Sequence, residues 1–302
     1  MTEQAPSSLQ KWQVGDVKIT RIVELEATGG SRFILPDATP EAVREIPWLQ
    51  PHFANAEGKL IMSVHALVLE VGDQLIVVDT CIGNDKERSN PSWNKLQLPF
   101  LRDLADAGFD RMEVNTVLCT HLHVDHVGWN TMLVENRWVP TFPNARYLMA
   151  KQEFEYWQGE DAGEYGDIMG DSVLPIFDAG LAELVDLDHR LCDQISLQPT
   201  LGHTPGHVSI RIESRGQRAI ITGDCIHHPC QMHHNDWVSS ADYDTQAAMA
   251  TRSELFASLV DTDCLIIGTH FATPTAGLLK QDGSAYWLST DIGDQFTPQT
   301  RG

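Results

Sequence analysis

Six consecutive residues, His121-Leu122-His123-Val124-Asp125-His126, hold three imidazoles and one carboxylate. They follow a largely apolar run, Val114 to Cys119, that reads as a buried strand. In an extended segment alternate side chains share a face, so His121 and His123 can reach one cation together. Asp125 and His126 are neighbours and cannot share a strand face. A turn there splays them toward a second position beside the first, a layout that suits two metal ions better than one. Two-metal hydrolysis needs about seven ligands, one of them a carboxylate bridging the ions. Three more candidates lie downstream: His203 in Leu201-Gly202-His203-Thr204-Pro205-Gly206-His207, Asp224 in Thr222-Gly223-Asp224, and His270 in Ile267-Gly268-Thr269-His270. Each follows a strand-like run or sits in a turn rich in Gly and Pro, where a ligand at a strand's carboxyl end belongs.

Taken in order, His-x-His-x-Asp-His, Gly-His-Thr-Pro-Gly-His, Thr-Gly-Asp and Gly-Thr-His resemble the motifs of the metallo-β-lactamase-fold hydrolases, from about Asp16 to Trp287. The resemblance implies an α/β fold, a four-layer αββα sandwich of two mixed β-sheets with helices on both outer faces. It implies that His121, His123 and His203 hold one metal, that Asp125, His126 and His270 hold the other, and that Asp224 bridges them. His207 is then a structural histidine opening the next strand. The implied cofactors are two divalent metal ions, zinc first, with Fe, Mn or Co admitted by the same donors. The implied enzyme is a dinuclear metal-dependent hydrolase of the lactonase or esterase type, cleaving a carboxylic ester or lactone by attack of a metal-bound hydroxide. Asp125 would also orient that hydroxide or take its proton.

An aspartate at position 224 is similar to that of dinuclear lactonases, glyoxalase II-like thioesterases and methyl-parathion-hydrolase-like enzymes. Thioester or phosphotriester hydrolysis is therefore the alternative on the same site. β-Lactamases that use a cysteine there rank lower, as does a non-hydrolytic metal enzyme of the flavo-di-iron type, which carries Glu at the position of His123. Similar acyl-homoserine lactonases place a carbonyl-binding tyrosine three residues after the bridging aspartate. Here that position is His227, followed by His228. His227 is expected to donate to the substrate carbonyl; the other reading makes both histidines part of a polar loop. Asp79, in Val77-Val78-Asp79-Thr80, is expected to orient a ligand or loop by hydrogen bonds. Trp129, Asn130 and Phe271 are candidate pocket residues; ordinary core is the other reading for the two aromatics and the favoured one for Trp129. Arg252 is given only a surface ion pair.

Composition narrows the partners. With 21 basic against 42 acidic residues the formal charge is −21, which argues against nucleic acid. A small-molecule substrate remains, and a homodimer is compatible with the reading. The first residues, Met1-Thr2-Glu3-Gln4-Ala5-Pro6, lack the basic and apolar regions of a secretory leader, and no apolar run approaches a membrane span. A cytoplasmic location is expected, with Cys81, Cys119, Cys192, Cys225, Cys230 and Cys264 as free thiols. Cys225 points away from its neighbour Asp224 if both lie on a strand, so it is read as structural.

The positioning elements follow from periodicity in 302 residues that are 42% hydrophobic, enough for one sizeable domain over 1–302. Strands are predicted over Val17 to Leu25, Met62 to Val71, Gln74 to Thr80, Ala145 to Met149, Leu181 to Val185, Gln194 to Pro199, His207 to Glu213, Arg218 to Thr222 and Cys264 to Ile267. Helices are predicted over Pro99 to Ala107, over Lys151 to Trp157, and from an Asp244 cap to about Val260. Thr39-Pro40-Glu41 reads as another helix start. Glu160 to Gly170 reads as a surface loop. The Pro-rich stretch within 27–60, carrying Phe33, Trp48 and Phe53, is either a cover for the pocket or an arm pinned to its own domain.

Overall fold

The computed structural model describes residues 9–30, 33–159 and 166–298. Its strands in chain order are β1 (Lys11–Val14), β2 (Val17–Thr28), β3 (Ile61–Val71), β4 (Gln74–Val78) and β5 (Thr116–Leu118). A separate ribbon of β6 (Thr131–Val134) and β7 (Arg137–Pro140) comes next, and then β8 (Arg146–Ala150) and β9 (Ala182–Val185). These form a seven-stranded sheet in the order β1-β2-β3-β4-β5-β8-β9. It is antiparallel up to β4 and parallel beyond it.

The second sheet has six strands in sequence order: β10 (Ile195–Pro199), β11 (Val208–Ser214), β12 (Gln217–Ile221), β13 (Cys264–Ile267), β14 (Ala276–Asp282) and β15 (Ala285–Ser289). Only β12 and β13 pair in parallel. Their connection carries the longest helix of a set comprising α1 (Pro40–Arg44), α2 (Phe100–Asp106), α3 (Lys151–Gly159), α4 (Leu174–Asp178), α5 (Cys230–His233) and α6 (Thr245–Leu259).

Alternation sorts each strand between layers. Leu67 and Leu69 of β3 and Ile221 and Ile267 of the second sheet share the core between the sheets. Their neighbours Ala66 and Val68 face outward with Phe100 and Leu104 of α2 and Phe154 of α3. On the other side Ile220 and Ile266 meet Leu255 and Phe256 of α6. The expected αββα layering of two mixed sheets is the architecture found. Both predicted caps form: Thr39 accepts from the Ala42 N–H, and Asp244 accepts from the N–H groups of Gln246 and Ala247.

Segment 33–60 joins the outer layer of the second sheet. Val43, Ile46, Leu49, Phe53 and Leu60 are buried in the same cluster as α6, while Phe33 is 70% exposed. The loop expected over Glu160 to Gly170 lies outside the described residues at 160–165. Its end, Met169 and Gly170, opens a π-helical turn, Met169–Val173, that periodicity did not reveal. The β6–β7 ribbon was also missed, because Leu133 and Val134 are exposed in succession and show no alternation.

This topology collects chemistry at one rim. β5 ends three residues before His121, β12 three before Asp224, β13 three before His270, and β10 four before His203. β4 ends immediately before Asp79. Loops beyond the carboxyl ends of strands are where open α/β sheets bind ligands.

Candidate metal centre

His121, His123 and His203 bring three nitrogens into a triangle. His203 Nε2 lies 2.8 Å from His123 Nδ1 and 3.2 Å from His121 Nε2, and His121 Nε2 lies 3.0 Å from His123 Nδ1. Outer partners set which nitrogen carries the proton. Asp242 Oδ1 faces His203 Nδ1 at 2.9 Å. Thr120 Oγ1, whose own proton goes to Asp79, faces His121 Nδ1 at 3.1 Å. With both Nδ1 atoms protonated, the two Nε2 atoms present lone pairs to each other, a repulsive contact unless a cation lies between them. Tetrahedral zinc with Zn–N of about 2.0–2.1 Å sets its nitrogens roughly 3.3 Å apart, so the donor set fits such an ion.

A second set repeats the logic. His126 Nε2 lies 3.2 Å from His270 Nε2, and Asp125 reaches these atoms at 3.8 and 3.5 Å. Outward, His126 Nδ1 meets Asp79 Oδ2 at 2.8 Å, and His270 Nδ1 meets the Ser63 carbonyl at 2.9 Å. The Ser63 N–H in turn donates to the His270 carbonyl, so β3 grips this ligand from both sides. Asp224 stands between the sets. Its Oδ2 is 3.1 Å from His270 Nε2, 3.6 Å from His203 Nε2 and 3.9 Å from His121 Nε2, and its Oδ1 is 3.3 Å from His126 Nε2. All seven expected residues are thus brought together in two adjoining groups.

Electrostatics agree with the two sets. Burial holds His121 and His203 well below the ordinary imidazole value and takes His123 to about 4, so these rings are neutral donors. For His126 burial opposes charge too, but Asp224, Asp79 and Asp125 overcome it and raise the value well above normal. His270 is raised against burial by Asp224 and Asp125. Buried carboxylates gathered around these rings call for positive charge at this point.

Among the remaining expectations, His207 accepts the Asp224 N–H at Nε2 (2.9 Å) and contacts Thr200 through Nδ1. Asp79 accepts from the N–H and hydroxyl of Thr120 as well as from His126. Cys225 is buried, and burial lifts its thiol to about 12, which suits the structural reading. His227 is buried beside the centre with Nε2 3.4 Å from Asp224 Oδ2, and neither ring nitrogen makes a hydrogen bond among the described residues. His228 turns away: Nε2–H donates to the Phe53 carbonyl, and Nδ1 accepts from the Cys230 N–H.

Some expectations fail. Arg252 is no surface residue; it is fully buried, bonds Asn235 through Nε, and lies 3.8 Å from Asp242. Trp129 takes its favoured core reading, donating to Glu24 and stacking on Phe100, whereas the pocket reading of Asn130 and Phe271 fails: both are interior, Asn130 contacting Thr80 and Phe271 packing on Phe53. The aromatic residues near the centre are others. The ring of Trp157 lies 5.4 Å from that of His123, Tyr156 touches both Trp157 and Tyr243, and Tyr243 is 64% exposed while its N–H donates to the His203 carbonyl.

Comparison with known proteins places this geometry. A sequence profile described as the metallo-beta-lactamase superfamily matches residues 61–270, from the start of β3 to the last candidate ligand. An N-acyl homoserine lactonase of Bacillus sp is 24% identical over 152 residues, 50% of this chain and 54% of the relative, so the chain spans about half of that relative's length. The N-acyl homoserine lactonase AiiA of Bacillus thuringiensis subsp. kurstaki is 24% identical over 216 residues, 67% of this chain and 79% of the relative. The fold is shared with AidC, a dizinc quorum-quenching lactonase, at TM-score 0.75 and 21% identity over 97% of this chain and 98% of that one. It is shared also with the hydrolase AbOPH, at TM-score 0.77 and 23% identity over 96% and 100%.

Proposed function

We propose, from the premise that this chain belongs to the metallo-beta-lactamase superfamily, that it hydrolyses carboxylic esters or lactones at a dinuclear metal centre. The observation that carries the reading is the pair of adjoining donor sets, with Asp224 between them and the outer nitrogens of His121, His203, His126 and His270 already engaged. His121, His123 and His203 would hold one divalent ion and Asp125, His126 and His270 the other. Zinc leads, with Fe, Mn or Co admitted by the same ligands. Bound ions would supply a nucleophile near neutral pH and polarise the acyl oxygen.

The chain's own groups do the rest. Asp125, the more exposed of the two candidate ligand carboxylates with 12% of its side chain accessible, orients the attacking water and takes its proton. Burial takes His227 to about 3, so its ring is neutral and keeps one N–H for the acyl oxygen. Trp157, Tyr156 and Tyr243 offer an apolar flank beside His123, which favours a substrate whose acyl or alcohol part is greasy. No serine or cysteine is called on as nucleophile, and the buried thiols are protonated, with Cys225 and Cys264 lifted by burial to about 12 and about 11.

The test is elemental analysis followed by assay against lactones, aryl esters, thioesters and phosphotriesters. Two ions per chain, with lactone or ester turnover lost to a chelator and restored by metal, is the expected outcome. Turnover indifferent to chelation, or a trapped acyl-enzyme, would overturn the mechanism. A preference for thioesters or phosphotriesters would keep the centre and replace the substrate class.

A further inference from the structure

Two buried glutamates, neither of them a ligand, sit under the two donor sets. Glu24 lies in β2 where the ladder with β3 slips: Val23 pairs with His65 and Leu25 with Val64, so Glu24 is the extra residue of a β-bulge. The bulge turns its carboxylate inward. Oε2 accepts the Ile82 N–H at 2.8 Å, while Oε1 accepts the Gly83 N–H at 3.1 Å and the Trp129 indole N–H at 2.7 Å. Ile82 and Gly83 end a turn in which Asp79 and Cys81 have φ of 52° and 54°, a conformation that non-glycine residues hold only when their surroundings enforce it.

That turn is zipped to the metal loop. Thr80 N–H donates to the His126 carbonyl, Trp129 N–H to that of Thr80 and Gly128 N–H to that of Cys81, each at 2.7 Å. The approach is so close that a Cβ on Gly128 would lie 1.9 Å from the Ile82 oxygen. Glu24 holds both sides of the zip. Asp79 at its head orients His126.

Glu153, in the first turn of α3, does the corresponding work for the other set. Its Oε1 accepts the Leu122 N–H at 3.1 Å and the Trp157 indole N–H at 2.8 Å. Its Oε2 accepts the Thr204 hydroxyl at 2.6 Å and the Gly206 N–H at 2.9 Å. Leu122 lies between His121 and His123, and Thr204 follows His203. One carboxylate therefore fixes the separation of the two loops that supply this set.

We propose that each ion pocket has its own positioning residue, Glu24 for the Asp125/His126/His270 pocket and Glu153 for the His121/His123/His203 pocket. The inference rests on the two-ion reading above. Backbone N–H groups, indoles and the Thr204 hydroxyl all donate to these two carboxylates, so glutamine keeps the shape but sets an NH₂ against a donor.

The test is stepwise Co²⁺ binding to the full-length protein by chelator competition, with the visible spectrum following each step. His203→Ala and His270→Ala identify which step belongs to which pocket. Glu24→Gln should weaken the His270-containing pocket roughly 10–100-fold and leave the other within about threefold, and Glu153→Gln should do the reverse. Should either glutamine variant fail to fold, Trp129→Phe and Thr204→Val each remove a single donor and should show the same selectivity with smaller shifts. Weakening of both pockets equally, of the wrong pocket, or of neither overturns the proposal. A parent protein that binds fewer than two ions overturns the two-ion reading instead.

Discussion

At the scale of single residues, the geometry separates candidate ligands from the groups that hold them. Asp224 approaches nitrogens of both donor sets, whereas both nitrogens of His207 are taken by protein groups, Nε2 by the Asp224 N–H and Nδ1 by Thr200. Asp224→Ala should therefore lose metal from both pockets. His207→Ala should keep close to two ions and cost about 1–3 kcal/mol of stability for the buried N–H left without an acceptor. Metal content read beside melting temperature checks both, and equal metal loss would make His207 a ligand. His227→Ala should keep its metal yet lose roughly 10²-fold or more in turnover, the usual effect of removing one donor to a developing charge. Parent-rate hydrolysis of the best substrate by that variant would return His227 to the loop.

At the scale of elements, His228 ties segment 33–60 to the loop behind the centre. Burial lowers its value to about 4, and protonating Nδ1 would set a proton against the Cys230 N–H. The folded value lies below the unfolded one near 6.5, so the stability it contributes is complete above about pH 6.5 and is lost as pH falls through about 4. The full effect is on the order of 3 kcal/mol. Protection factors of the amides in residues 33–60, corrected for the intrinsic pH dependence of exchange, should fall across that window, and unchanged protection would sink the idea. Ligand loops were legible because each candidate sits in a short motif just past an apolar strand. The supports were not: Asp242, Glu153 and Glu24 lie 39, 31 and 58 residues from His203, Leu122 and Ile82, the groups they hold in place, and nothing in the sequence near them points there. Glu24 hides further, because a bulge reverses the face that alternation assigns it. Asn130 misled for a related reason, since proximity to the metal loop says nothing of which way a side chain points.

At the scale of the whole molecule, each pocket draws on both sheets. The loop after β5 supplies His121 to His126, and the loops after β10, β12 and β13 supply His203, Asp224 and His270. Removing metal should lower the melting temperature as well as activity, because ions that bind only the folded chain stabilise it by about 2.7 kcal/mol for a site held at 100 times its dissociation constant. Calorimetry of metal-free and reloaded protein checks this, and identical transitions would contradict it. The division of ligands between sheets also gives metal uptake a place in the history of each molecule. A growing chain exposes His121 to His126 long before it makes His270, and the four candidate ligands in that stretch alone complete neither pocket. Ions should be captured firmly only after β13 has docked and brought His270 to the rim. A loaded centre would then mark a copy whose two sheets have met, and one cut short before His270 or misassembled would stay metal-free and open to degradation.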